Sequence, residues 1–141
     1  MKRLVVALGA ALLASAASAA DLRIGSSADY PPWESVDATG AIVGFDRDVG
    51  DAICKKIDAN CTWINQGFDG LLPGLAIGKF DLIISGMSIN EERAQQVDFS
   101  AAYADAPNAV VVPAGSKIAT AKTAADLASD LKGAVIGVQT G

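Results

Sequence analysis

The sequence predicts an α/β fold. Short apolar runs suited to strands alternate with amphipathic, capped segments suited to helices. One run, Phe80 to Ile84, is apolar almost throughout, the pattern of a strand buried on both faces. Polar and glycine residues follow that run directly, as they do where a buried strand opens into a loop. Strand, helix, strand, helix, strand in this order implies parallel pairing through right-handed crossovers.

In chain order, Met1, Lys2 and Arg3 form a positive region, Leu4 to Leu13 an apolar run and Ala14 to Ala20 a small-residue stretch. This is the pattern of a cleavable export signal, with the cut expected before Ala20 or Asp21. The apolar run is shorter than the roughly 20 residues that cross a bilayer, and no cysteine stands there to carry a lipid. Leu22 to Ile24 reads as a strand that opens at Gly25 into a loop holding Ser26, Ser27, Ala28, Asp29, Tyr30, Pro31 and Pro32. Phe45, Val49, Ala52, Ile53 and Ile57 recur at spacings of three and four, with Asp46 and Asp48 early and Lys55 and Lys56 late. That spacing predicts an amphipathic helix over Asp46 to Asp58.

Thr62 to Ile64 suits a strand, and Asp69 is placed to cap a helix that carries Pro73 near its start and stops at Gly78. After the buried strand at 80–84, Ser85, Gly86, Met87 and Ser88 lead to Asn90, an N-cap with Glu91 and Glu92 in the first turn. Polar residues leaving the carboxyl end of a buried strand and entering a helix start mark where open α/β sheets bind ligands. Asn108 to Pro113 reads as an extended apolar segment, Thr123 to Leu131 as a helix and Ala134 to Val138 as a further strand. A last strand running into Gln139, Thr140 and Gly141 reads as the interrupted start of a second domain.

Composition excludes several functions. The chain has 11 basic and 16 acidic residues, a formal charge of −5. Without Lys2 and Arg3 the balance is 9 against 16, or −7, which argues against nucleic acid. Histidine is absent and there are 2 cysteines, so neither a histidine triad nor an ordinary zinc site can be built, and no metal or cofactor is expected. In an oxidising compartment Cys54 and Cys61 are expected to pair as a local staple between a helix end and a strand start.

An ordered set of motifs spans most of Asp21 to Gly141: Leu22-Arg23-Ile24-Gly25, Asp29-Tyr30-Pro31-Pro32-Trp33-Glu34, Val43-Gly44-Phe45-Asp46-x-Asp48, Cys54 with Cys61, and Phe68-Asp69-Gly70-Leu71-Leu72-Pro73. It continues with Lys79-Phe80-Asp81-Leu82-Ile83-Ile84-Ser85-Gly86-Met87-Ser88-Ile89, Arg93 and Asp98-Phe99-Ser100. In this order the motifs resemble the periplasmic binding proteins for polar amino acids, the family of lysine/arginine/ornithine, histidine and opine binders. The resemblance implies two α/β lobes joined by a two-strand hinge and closing over one ligand. Residues 1–20 would then be the signal peptide, 21–108 lobe one, 109–113 a hinge strand and 114–141 the start of lobe two. It further implies a monomeric, non-enzymatic periplasmic protein that delivers an amino acid to the permease of an ABC importer.

A buried amino-acid site needs a fixed cation, several acceptors and groups that shape the side-chain pocket. By resemblance Arg93 grips the ligand carboxylate, Ser88 offers its hydroxyl to the ammonium, and Ser85 and Gly86 offer backbone carbonyls. Tyr30 and Phe68 match positions whose rings sandwich the ligand side chain, and Ser27 and Met87 are secondary candidates. Trp33 and Trp63 are expected to pack. In the cationic binders an aspartate stands at the position matching Ser27, so the serine here leaves a neutral polar amino acid or an opine-like ligand fitting as well as lysine or arginine. Asp29, two residues on, is expected in a solvated turn. Two other functions share the fold: a periplasmic dehydratase acting on cyclic precursors of aromatic amino acids, and a sensor module. One lobe without its partner is expected to bind weakly or not at all and to expose apolar surface.

Overall fold

A computed structural model describes residues 19–107 and 109–138. Of the export signal expected over residues 1–20, residues 1–18 lie outside the described residues, as do residue 108 and the end of the chain at 139–141. The chain divides into two units, the first ending at Met87 and the second beginning at Ser88.

The first unit is built on a parallel sheet ordered β5-β1-β6. β1, Ala20–Ser26, runs between β5, Ala59–Asn65, and β6, Leu82–Ile83. Registers Ile24↔Trp63 and Ile24↔Leu82 place Ile24 at the centre of all three strands. Strands 20–26 and 59–65 extend well beyond the expected apolar triplets, because each supplies the ladder partners the other needs. The run at 80–84 behaves in the opposite way. Only Leu82 and Ile83 form a strand, and they and Ile84 are half-buried rather than covered on both faces. Phe80 precedes the strand and packs beneath the sheet, 1% exposed.

Phe80, Ile24 and Leu71 are the largest fully buried apolar side chains. The ring fits because glycines flank it: a Cβ at Gly25 would stand 2.7 Å from Phe80 Cε2, and one at Gly74 2.6 Å from Phe80 Cζ. Leu71 and Gly74 belong to α2, Leu71–Ala76, which follows a 3₁₀ turn at Phe68–Gly70. The expected Asp69 cap is not formed: the N-cap is Gly70, with no side-chain bond, since the 3₁₀ turn places Asp69 before the cap position. Outside the core, Arg23 and Asp81 form a two-pronged ion pair, with Nη2–Oδ1 at 2.7 Å and Nε–Oδ2 at 3.0 Å, and this holds the Asp81 carboxyl down near 2.

Helix α1, Phe45–Lys56, has the predicted acidic start and basic end. Its buried face differs from the expected one. Phe45, Ile53 and Ile57 are 44%, 49% and 56% exposed, while the buried positions are Asp46, Gly50 and Cys54, spaced four apart on one stripe. Gly50 decides this, since a Cβ there would sit 2.5 Å from Trp63 Cζ2, so the helix crosses β5 on its narrow side. The helix stops two residues before the expected Asp58, which takes a left-handed φ of 54° that an aspartate tolerates and that turns the chain into β5. Cys54 and Cys61 form the expected disulfide. With a sequence separation of 7, opening it should cost about 2 to 2.5 kcal/mol on the chain-entropy model. Urea melts with and without reductant check this: equal midpoints would mean that the staple adds nothing.

Inside the expected loop, Asp29–Tyr30 forms β2, which with β3, Glu34–Val36, and β4, Ile42–Val43, makes a second, antiparallel sheet. It is tied to α1 by Phe45 N donating to Pro32 O at 3.1 Å and Asp46 N donating to Trp33 O at 2.9 Å, which satisfies two free amides at the helix start. Gly44, at φ 127°, allows the contact, because a Cβ there would stand 2.4 Å from Trp33 O. Trp33 meets Phe45 edge-on at 5.4 Å, and Trp63 packs over Gly50 and donates to Asp51 Oδ1 at 3.0 Å, so both tryptophans pack as expected.

The second unit contains α3, Glu91–Ala94, a 3₁₀ turn at Lys117–Thr120 and α4, Ala124–Asp130, which starts with a Thr123–Asp126 capping box. Val110, Val112, Ile118 and Leu127 line a shallow hollow there. Residues 109–112 and 134–138 are not strands. Their β-branched composition favours an extended chain, but a strand needs a neighbour to take its amide and carbonyl groups, and no described residue pairs with them. Val111, Val135 and Val138 are 94%, 101% and 84% exposed. Among the described residues no helix is long and apolar enough to cross a membrane.

Candidate ligand-binding site

All three strands of the parallel sheet point the same way, so their carboxyl ends form one edge. Three loops leave it: 27–28 after β1, 66–67 after β5 and 84–86 after β6. They are cross-tied by Gln66 N to Ser26 O at 2.9 Å, Ala28 N to Asn65 Oδ1 at 3.2 Å and Ile84 N to Gly25 O at 3.1 Å. Because α/β ligands bind at this edge, the positions of the predicted residues follow from the topology.

Ser27 is 2% exposed. Its amide donates to Ser85 Oγ at 2.8 Å and its hydroxyl donates to Asp29 Oδ1 at 2.9 Å. Tyr30 ends β2 and is 43% exposed, with its ring beside Gly86, where a Cβ would lie 3.5 Å from Tyr30 Cδ1. Phe68 is half-buried at the start of the 3₁₀ turn that follows β5. Ser85 is 1% exposed and its hydroxyl donates inward to Glu34 Oε1 at 2.7 Å, which leaves its backbone as the part available to a ligand. Gly86 has a left-handed φ of 53° and its amide donates to Asp46 Oδ2 at 2.5 Å. Met87, half-buried, closes the first unit.

Ser88 and Arg93 belong to the second unit. Asn90 caps α3 as expected, its side chain accepting from Arg93 N at 2.8 Å. Arg93 Nη1 donates to Ser88 Oγ at 2.9 Å and to Ser88 O at 3.1 Å. Cap and side-chain bonds together hold the guanidinium against Ser88, so the two residues assigned to the ligand's carboxylate and ammonium form a local pair.

Two site residues escaped sequence reading. Glu34 is 1% exposed and Asp46 is fully buried, and both lie under the 84–86 loop. Burial pushes the Glu34 carboxyl up to about 8 against the opposing Ser85 hydrogen bond, with Asp46 and Asp29 pushing the same way. Asp46 read as a helix-start acid, and Glu34 follows a Pro-Pro-Trp turn that gives no sign of burial. The recurring aspartate at the start of α1 was the one available signal.

Residues 22–139 match the model of bacterial extracellular solute-binding proteins, family 3. The chain belongs to this family. It is 46% identical, over all of its length and 55% of the relative's, to ABC transporter arginine-binding protein 1 of Escherichia coli (strain K12). Among solved structures, a mutant of the arginine-bound form of domain 1 from TmArgBP superposes with a TM-score of 0.59 at 46% identity, over 61% of this chain and 67% of that one. A Salmonella typhimurium periplasmic binding protein described for its high arginine specificity gives 0.57 at 51% identity, over 58% of this chain and 37% of that one. The chain spans about half the length of the curated relatives it matches. These solute-binding relatives are named for what they bind, not for a reaction.

Proposed function

We propose that this solute-binding chain captures a cationic amino acid of the arginine type in the periplasm and presents it to the permease of an ABC importer, without catalysing a reaction on it. The observation that carries the reading is the Ser27–Asp29 pair. The position that holds an aspartate in cationic binders is a serine here, but its buried hydroxyl donates to Asp29 Oδ1 at 2.9 Å, so a carboxylate stands at the same sheet edge on an exposed residue next to Tyr30. A hydroxyl donor steadies an anion and aims it, which suits a distal guanidinium. The arginine for which these relatives are named supports the choice of arginine over a neutral amino acid.

The other roles follow residue by residue. Arg93, braced by Ser88, takes the ligand carboxylate, Ser88 and the backbone of Ser85 and Gly86 take the ammonium, Tyr30 and Phe68 flank the aliphatic chain, and Met87 fills beside them. We place the hinge crossing at 109–113, with lobe one before it. The group best tuned for proton transfer, Glu34, has its carboxyl buried beneath Ser85, out of reach of a ligand at the edge, which supports binding over dehydratase chemistry. The arginine-bound form of a separate domain 1 in a relative supports binding by less than the full length of such a protein, and a site that encloses less of the ligand should bind it more weakly.

A thermal-shift screen of the twenty amino acids tests the reading, since a ligand raises the midpoint only by binding the folded state. Arginine should give the largest shift. Asp29→Asn should weaken arginine about tenfold, the equivalent of roughly 1.4 kcal/mol, and leave its neutral isostere citrulline unchanged. Silence for all cationic amino acids would remove the proposal, and an equal loss for citrulline would remove Asp29 from the specificity role.

A further inference from the structure

Beneath the candidate site two buried carboxyl groups stand side by side. Glu34, from β3, and Asp46, from α1, are 1% and 0% exposed and bind the adjacent residues Ser85 and Gly86, which brings the two carboxyls close enough for Asp46 to oppose ionisation of Glu34. Glu34 Oε1 accepts from Ser85 Oγ, Ser85 Oγ accepts from Ser27 N, and Asp46 Oδ2 accepts from Gly86 N. Among the described residues no N–H or O–H reaches Glu34 Oε2, although it is buried. Two buried carboxylates touching in this way would repel each other and leave an acceptor empty, at a cost that burial makes large. One proton on Oε2 removes both penalties, because the neutral acid then donates to Asp46 and keeps Oε1 free for Ser85.

We infer that Glu34 is a positioning residue of the binding site: as the neutral acid it donates from Oε2 to Asp46, and the joined pair sets the backbone of Ser27, Ser85 and Gly86 for the ligand. The pair adds to the backbone bonds that already tie these segments, Asp46 N to Trp33 O at 2.9 Å and Ile84 N to Gly25 O at 3.1 Å. Glu34 reaches the β1 exit through Ser85, and Asp46 reaches the β6 exit directly, so the proton they share bears on both exits. The charged groups acting on Glu34 from its surroundings are Asp46 on α1 and Asp29 on β2, both acids. A positive ligand at Asp29 offsets one of them, so cation binding and the proton on Glu34 are linked. This inference rests on the amino-acid-binding reading for its ligand arm only.

The sign of the pH effect is set by the direction of the shift. Glu34 titrates near 4.5 in the unfolded chain and near 8 when folded, so its share of stability is complete below about pH 4.5 and is lost as the pH rises toward 8. Glutamine copies the neutral acid, with an amide N–H toward Asp46 and a carbonyl toward Ser85. The experiment measures thermal midpoints from pH 5 to 9 without ligand, and arginine affinity by calorimetry over the same range, for the unaltered chain, Glu34→Gln and Glu34→Ala. The unaltered chain should lose midpoint through this range, and Glu34→Gln should flatten that loss while keeping arginine affinity within about twofold at pH 6, a ratio worth only about 0.4 kcal/mol. Glu34→Ala should weaken arginine at least tenfold at a pH where it is still folded. A pH slope unchanged in Glu34→Gln, or a folded Glu34→Ala with full affinity, would overturn the inference. Absence of arginine binding in the unaltered chain would instead remove the ligand assignment, and the ligand-free pH slopes would still decide whether Glu34 holds the proton.

Discussion

Arg93→Ala is expected to weaken arginine binding more than a hundredfold while leaving the thermal midpoint of the ligand-free chain nearly unchanged. Under the proposed reading the guanidinium is the fixed cation for the ligand carboxylate, and removing one partner of a desolvated ion pair costs about 3 to 5 kcal/mol. The structure prepares Arg93 for this role before any ligand arrives: Asn90 fixes its backbone amide at 2.8 Å, and Ser88 holds Nη1 at 2.9 Å. It lies on a short helix with no buried residue of its own, so the alanine variant should fold. Arg93→Lys keeps the charge but not the planar fork that grips both carboxylate oxygens, and should fall between the two. Titration calorimetry with arginine reads the effect, and a loss below threefold in Arg93→Ala would assign the carboxylate to another group.

The second large effect concerns the core. Phe80→Ala should cost about 3 to 5 kcal/mol, enough to unfold much of a domain whose total stability is of order 5 to 15 kcal/mol. Phe80 is the largest fully buried side chain of the first unit, and its ring fills the space that Gly25 and Gly74 leave open. The converse change makes the fit testable from the other side. Gly74→Ala introduces a Cβ 2.6 Å from the ring and should cost about 1 to 3 kcal/mol through overpacking. Urea denaturation of both variants measures the two losses. A Phe80→Ala loss below 1 kcal/mol would mean that the site collapses around the smaller residue and that the ring is not the keystone of this core.

Much of the fold was legible because it is local. The strand signals at 22–24 and 62–64, the charge order of α1, the Asn90 cap and the pairing of Cys54 with Cys61 all appear in the structure. The exits of β1 and β6 were legible for a related reason, since serine and glycine after an apolar run announce the carboxyl edge. The failures have a common cause as well. The face of α1 was read from its apolar stripe, and Gly50 against Trp63 turned the helix onto another one. The stretch from Ser26 to Pro32 reads as open loop because Pro31 and Pro32 break a ladder, yet the two-residue strand just before the prolines pairs with a short strand after them. Segments 109–112 and 134–138 have strand composition and no partner among the described residues.

By itself the sequence determined the α/β order, the parallel connection of the first three long elements, the edge where a ligand would sit and the residue types available to hold it. These depend on periodicity, capping and turn chemistry, which neighbouring residues impose on one another. Tertiary structure alone decided that Glu34 and Asp46 are buried together under Ser85 and Gly86, and that Gly50 rather than Ile53 faces the sheet. Periodicity tells which way a side chain points from its own axis. What stands opposite it, and so whether a carboxyl meets water, a hydroxyl or a second carboxyl, is set by residues 12 to 51 positions away in the chain.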